Sequence, residues 1–162
     1  MLKNFFEIFN LPCQFKIDKK LLEQQYYQLQ NQYHPDLQNK NNNLDIADIN
    51  YGYQVLSQDL ERAIYLLKII GIDILAEDCQ IKIDHDELNR FFLLQEEIED
   101  NCKNQSILNV YLKQIEENIN LQIAKAMDLY LVDNILSAKE LIKAQYFKKN
   151  KDKIKYLLKQ NY

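Results

Sequence analysis

The chain has 162 residues, enough to bury a core in one domain or in two small ones. Hydrophobic residues make up 47% and charged residues 27%, which excludes a disordered chain. The net charge of -4 lacks the basic surplus that is typical of nucleic-acid binding. Only two Gly and two Pro occur, and because these residues mark β-turns and hairpins, their scarcity predicts an all-α fold.

Neither a membrane partner nor a bound metal is indicated. No apolar run reaches the roughly 20 residues that span a bilayer, and the N-terminus lacks a signal-peptide cleavage site. The cysteines Cys13, Cys79 and Cys102 are odd in number and widely spaced, with no Cys-x-x-Cys or Cys/His pairing. We therefore expect reduced thiols in a cytoplasmic protein, with no metal and no cofactor.

Four helical segments are predicted in the first part of the chain, at about 2–9, 18–35, 44–56 and 60–70. The second begins at the N-cap Asp18 and ends at Pro35, whose ring blocks further helix. Its apolar residues recur at spacings of 4, 3 and 4, typical of one helix face. They are Leu22, Tyr26, Leu29 and Tyr33. Gly71 stands where a left-handed residue ends the fourth helix.

Residues 72–83 show no helical stripe and are predicted to link a first unit, 1–71, to a second, 84–162. The second unit begins at Asp84, and Glu87 follows three residues later in a capping-box arrangement. Three longer helical patterns fill it, with a break near 132–134. Three helices joined by short turns pack most simply as an antiparallel bundle.

The triplet His34-Pro35-Asp36 lies where the second helix ends. It can be a polar helix stop without a role, a catalytic pair or a docking loop. As a general base steered by Asp36, His34 would need a pocket and a third group, and no Ser, Cys or second His accompanies it in a suitable motif. A short, stiff, polar bend suits recognition, because it is ordered before the partner binds. We expect no catalytic residue.

A four-helix segment with a His-Pro-Asp loop between helices two and three resembles a J-domain, the unit by which co-chaperones stimulate ATP hydrolysis by DnaK-class chaperones. "INYGYQVL" (49–56) and "ERAIYLLKIIG" (61–71) resemble the HscB-type co-chaperones of iron–sulfur cluster assembly, in which a small helical bundle follows the J-domain. The alternative is a generic J-domain co-chaperone with a different client. The resemblance implies that an HscA-type chaperone contacts His34, Pro35, Asp36, Tyr33, Lys19 and Lys20.

Four positions of the first unit depart from this family pattern. Leu37 replaces the Lys that usually follows the Asp, and Gln25 and Asn31 stand where Arg is common. Because charges at the rim of an interface act mainly on association rate, we expect weaker electrostatic steering of the chaperone rather than loss of activity. Asp59 replaces a common Pro and is predicted to cap the fourth helix instead.

The first helix of the second unit is more apolar than one buried stripe requires. Its predicted core face comprises Phe91, Leu94 and Ile98. Leu88, Phe92 and Leu93 lie outside that face, and they form either a partly exposed apolar strip rimmed by acids or part of a wide buried stripe. The resemblance implies that an IscU-type iron–sulfur scaffold protein binds here, at Leu88, Asn89, Phe92, Glu96 and, on the last helix, Tyr146.

Overall fold

The computed structural model describes residues 4–33 and 45–160. These ranges contain helices and no strand, which confirms the predicted all-α fold. The helices are α1 (Phe5–Ile8), α2 (Lys19–Gln32), α3 (Ile46–Ser57), α4 (Asp59–Ile69), α5 (His85–Asp100), α6 (Gln105–Leu129) and α7 (Asn134–Gln160). The chain forms an N-terminal unit, Met1–Gly71, and a C-terminal unit, Ile72–Tyr162. No described helix is both long and apolar enough to cross a bilayer.

Two helix ends of the N-terminal unit follow the predicted pattern. The Asp18 carboxylate accepts hydrogen bonds from the backbone N–H groups of Lys20 and Leu21, at 2.9 and 3.1 Å, and so caps α2. Gly71 has a φ of 90°, a left-handed conformation that glycine adopts without steric penalty and that ends the helical path of α4.

Gly52 allows α1 to pack closely on α3. A Cβ atom at this position would lie 2.9 Å from Phe5 Cδ1 and 3.0 Å from Phe9 Cε2, closer than carbon atoms normally approach. The close contact between α1 and α3 therefore requires a glycine, which has no side chain, at position 52. Around it, the core of the unit is built from fully buried apolar residues of all four helices and the turn after α1, among them Phe6, Phe9, Leu22, Ile49, Leu56 and Leu67.

Arg62 joins α4 to two other segments from a position that is only 3% exposed. Its Nε donates to the backbone oxygen of Phe15, in the loop before α2, at 2.8 Å. One terminal nitrogen donates to the backbone oxygen of Leu56, near the end of α3. The guanidinium also lies 4.9 Å from the centre of the Phe15 ring. Arg62 thus holds the loop, α3 and α4 together.

The predicted capping role of Asp59 is wrong. Gln58 is the N-cap of α4 and makes no side-chain capping bond. Asp59 is the first residue of the helix, and its Oδ1 instead accepts from Arg62 at 2.7 Å and from Lys19 at 2.8 Å. The carboxylate therefore pairs with two cations, one from α2 and one from α4.

The C-terminal unit is a bundle of α5, α6 and α7. Helices α6 and α7 run antiparallel, and the Ser137 hydroxyl, fully buried, donates to the backbone oxygen of Ala126 at 2.8 Å. The predicted capping box is wrong, because the N-cap Asp84 makes no side-chain bond. Glu87 instead accepts a hydrogen bond from Lys143 of α7 at 3.0 Å.

The turn between α6 and α7 lies at the predicted break. The Asp133 carboxylate accepts from the backbone N–H groups of Ile135 and Leu136, at 3.0 and 2.9 Å. This cap explains how α7 starts without a Gly or Pro nearby. Leu131 and Val132, just before it, are almost fully exposed.

The cysteines are in the thiol state and lie in different environments. Cys13, in the loop between α1 and α2, is exposed. Cys79, before α5, and Cys102, between α5 and α6, are half-buried.

Candidate partner-binding surfaces

The predicted chaperone-binding residues fall partly outside the described residues. The triplet His34-Pro35-Asp36 and the following Leu37 belong to that undescribed part. Tyr33, immediately before it, is the half-buried C-cap of α2, and its backbone N–H donates to the oxygen of Leu29 at 2.9 Å. The helix therefore ends at Gln32, and only its C-cap Tyr33 separates it from the triplet.

The two predicted contact lysines differ in their surroundings. Both Lys19 and Lys20 are exposed in the first turn of α2, but Lys19 is paired with Asp59. Desolvation opposes ionisation of Asp59, yet the hydrogen bonds from Lys19 and Arg62 outweigh it and lower the pKa of this carboxyl. An acidic partner that binds Lys19 must therefore compete with Asp59 for its charge.

A polar and aromatic cluster holds α2 against α3, the helices on either side of the undescribed segment. The Tyr26 hydroxyl donates to Asn50 Oδ1 at 3.0 Å, and Gln30 Nε2 donates to the Tyr26 oxygen at 2.9 Å. The Tyr26 and Tyr53 rings stack with centroids 4.1 Å apart. Burial, followed by the charge of Glu23, raises the pKa of Tyr53. The spacing of apolar residues placed Tyr26 on one face of α2 but could not predict this network, because the partners are on another helix.

The predicted scaffold-binding residues of α5 are largely exposed. Phe92 is 52% exposed and Leu93 58%, whereas Leu88 is half-buried. Asn89 and Glu96 are exposed beside them. The wide buried stripe is therefore wrong for Phe92 and Leu93, and two large apolar side chains meet the solvent next to an acid. We call these five residues the α5 patch.

Tyr146 of α7 lies against the core face of the helix that carries the α5 patch. Its ring stacks on that of buried Phe91, with centroids 5.1 Å apart and planes at 19°. Phe91 also makes an edge contact with Phe147, at 4.7 Å. Lys149 Nζ lies 5.3 Å from the centre of the Tyr146 ring, a cation–π contact that sequence reasoning did not identify.

His85, the histidine among the described residues, lies with its Nδ1 3.1 Å from the Asn89 amide nitrogen at the start of α5. Across residues 4–33 and 45–160, no group of three or more His, Cys, Asp or Glu side chains is arranged to hold a metal ion.

Comparison with known proteins identifies the family. Residues 4–65 match the DnaJ domain. The chain is 38% identical over 127 residues to the co-chaperone protein HscB of Buchnera aphidicola subsp. Acyrthosiphon pisum (strain Tuc7), covering 74% of this chain and 72% of that protein. It is 41% identical over 104 residues to the HscB homolog of Vibrio atlanticus (strain LGP32), covering 60% of each.

Solved structures share this fold along nearly the whole chain. Chaperone HscB from Vibrio cholerae superposes with a TM-score of 0.80 at 27% identity, covering 99% of this chain and 100% of the other. The Jac1 co-chaperone from Saccharomyces cerevisiae, at 23% identity, shares the fold with a TM-score of 0.81, covering 96% and 94%. The chain belongs to the HscB family of J-domain co-chaperones.

Proposed function

We propose that this co-chaperone delivers an IscU-type iron–sulfur scaffold protein to an HscA-type, DnaK-class chaperone in the cytoplasm and stimulates the chaperone's ATPase. This activity would assist cluster transfer and protein maturation, and the co-chaperone itself performs no catalysis. The observation that carries the proposal is the α5 patch, where Phe92 and Leu93 are exposed beside Glu96 in a chain of this family.

The proposed mechanism divides the work between the two units. The J-domain, 1–71, contacts the chaperone through Tyr33, the triplet His34-Pro35-Asp36 and the lysines that begin α2. Residues 72–83 form the linker, and 84–162 hold the scaffold. Holding both partners raises the effective concentration of the scaffold at the chaperone. The J-domain then stimulates hydrolysis only to the extent that it binds the hydrolysis-competent state more tightly than the other.

The exposed ring of Phe92 offers apolar surface that the scaffold protein can cover on binding. A Phe side chain presents about 200 Å² of surface, and 52% of Phe92 is exposed. Covering that surface contributes about 2–3 kcal/mol at the usual value for apolar burial. We therefore expect Phe92→Ala to weaken scaffold binding by about 30-fold, with Glu96 contributing mainly to association rate.

The test is ATP turnover by the chaperone with and without the scaffold protein. We expect the wild type to stimulate turnover and the scaffold to increase this stimulation further. His34→Gln should abolish both effects. Phe92→Ala should affect only the increase that depends on the scaffold, moving it to about 30-fold higher scaffold concentrations. Tyr156→Ala is the matched control, because Tyr156 is an aromatic residue of the same unit that is 59% exposed, outside the α5 patch.

Two results would contradict the proposal, each in a different part. Stimulation without any increase from the scaffold would leave a J-domain co-chaperone with another client. No stimulation at all, by a wild type that is folded, would reject the assignment of the triplet to chaperone activation.

A further inference from the structure

One face of α2 is exposed from the first turn of the helix to the last. Lys20, Gln24, Tyr27 and Asn31 recur at spacings of 4, 3 and 4, which places them in one line on a helix, and all four are exposed. This line lies opposite buried Leu22. We call these four residues the α2 stripe. It begins at a lysine predicted to contact the chaperone and ends three residues before the triplet begins.

Tyr27 is the large apolar residue of the α2 stripe. It is 58% exposed, and no other large apolar side chain is exposed among the described residues of α2. The other three members of the stripe are a lysine and two amides. An aromatic side chain exposed to this degree presents about 120 Å² to solvent. A tyrosine surrounded by polar residues is typical of the positions that contribute most to binding at protein interfaces.

The Tyr27 ring lies against a neighbour that is itself held in place. Its centroid is 5.6 Å from that of the Tyr26 ring, and the two planes make an angle of 55°. Tyr26 is fixed by its hydrogen bond to Asn50 and by its stacking on Tyr53, both on α3. A ring supported in this way loses little conformational freedom when a partner covers it, so more of the contact free energy appears as affinity.

The charges near the ring contribute little to binding. Lys20 has no acidic partner among the described residues, so its charge is available to a chaperone. Lys19 is already paired with Asp59. Glu23, exposed four residues before Tyr27, adds a charge of the opposite sign. Because exposed ion pairs are weak and are screened by salt, we expect the aromatic ring to contribute more affinity than the available cation.

We propose that Tyr27 is the aromatic anchor of the chaperone contact, and that this contact depends on apolar burial more than on charge. The inference rests on the proposed function and adds a residue to it. The α2 stripe is covered by the HscA-type chaperone, because it contains Lys20 and leads to the triplet. The chaperone surface that fits it is an apolar depression beside a carboxylate, which receive the ring and Lys20 respectively.

The test measures the co-chaperone concentration that gives half-maximal stimulation of ATP turnover by the chaperone. It is measured at about 0.05 M and about 0.5 M salt, because salt screens charges but not apolar contacts. Tyr27→Ala should raise this concentration about tenfold at both salt concentrations. Tyr27→Phe, which keeps the ring, should behave like the wild type. Lys20→Gln should raise it about threefold at low salt only.

Tyr51→Ala is the matched control, because Tyr51 is a tyrosine of the same unit that is 60% exposed and lies on α3, outside the α2 stripe. It should not change the concentration for half-maximal stimulation. Alanine favours helix at an exposed position, so Tyr27→Ala should stay folded, and the amide NMR spectrum of each variant checks this.

The outcomes separate this inference from the proposed function. A folded wild type that does not stimulate the chaperone would overturn both. If the wild type stimulates, the inference alone is overturned by an unchanged Tyr27→Ala, by an equal loss in Tyr51→Ala or Tyr27→Phe, or by a loss in Tyr27→Ala that disappears at high salt.

Discussion

Replacing Arg62 by Leu tests whether this residue holds the N-terminal unit together. The change removes the donors to two backbone oxygens, of which that of Leu56 is buried and that of Phe15 partly buried. A buried acceptor without a partner costs about 1–3 kcal/mol, and the partly buried one about 1 kcal/mol. Losing the guanidinium from the Phe15 ring costs about 0.5–1 kcal/mol more.

The remaining contribution of Arg62 is its pair with Asp59, which is 46% exposed in its side chain and so adds less than about 1 kcal/mol. The leucine recovers part of the apolar packing. We therefore expect Arg62→Leu to lower the free energy of unfolding of the N-terminal unit by about 3–4 kcal/mol. The stability of Arg62→Lys should lie between those of the wild type and Arg62→Leu, because a lysine ammonium cannot bind both carbonyls as the forked guanidinium does.

The assay is urea unfolding followed by NMR peak intensities, read separately for amides of the two units. Separate reading is needed because a single transition is not assured for a chain with two units. The C-terminal unit serves as an internal reference. Arg90→Leu is the matched control, since it makes the same change at an exposed arginine and should alter stability by less than about 0.5 kcal/mol. A loss below about 1 kcal/mol in Arg62→Leu would refute the role given to this residue.

Three further predictions use the same assay. Gly52→Ala should destabilise the N-terminal unit by about 1–2 kcal/mol, because the clash with Phe5 exceeds the gain in helix propensity. An unchanged or higher stability of the variant would contradict this prediction. The stability difference between wild type and Asp59→Asn should be present at neutral pH and disappear as the pH falls below 3.8, because the folded-state pKa of Asp59 is lowered. A difference that stays constant with pH would show that the charge pairing of Asp59 does not stabilise the unit. Ser137→Ala should cost the C-terminal unit about 1 kcal/mol through the lost bond to Ala126, with no effect on the N-terminal unit.

Features that depend on local sequence could be predicted. The face of α2 that carries buried Leu22 follows from the spacing of apolar residues. The end of α4 at Gly71 follows from the conformational freedom of glycine. Asp18 could be identified as a cap because its partners are the next residues in the chain.

Features that depend on partners distant in the sequence could not be predicted. Glu87 was predicted to complete a capping box, but a lysine 56 residues away competes for its carboxylate. Arg62 bonds to a carbonyl 47 residues earlier, and no local pattern indicates this contact. For the α5 patch, periodicity placed Phe92 beside the core face, but only the packing of three helices decides whether it is covered.

The position of Cys13 has a practical consequence for studying the J-domain. It is the exposed one of the three thiols, and it lies two residues before Phe15, whose carbonyl is held by Arg62. An exposed thiol reacts faster with maleimides than half-buried ones. An environment-sensitive fluorophore attached there would report release of this loop from α4, giving an optical signal for the N-terminal unit alone at concentrations far below those of NMR.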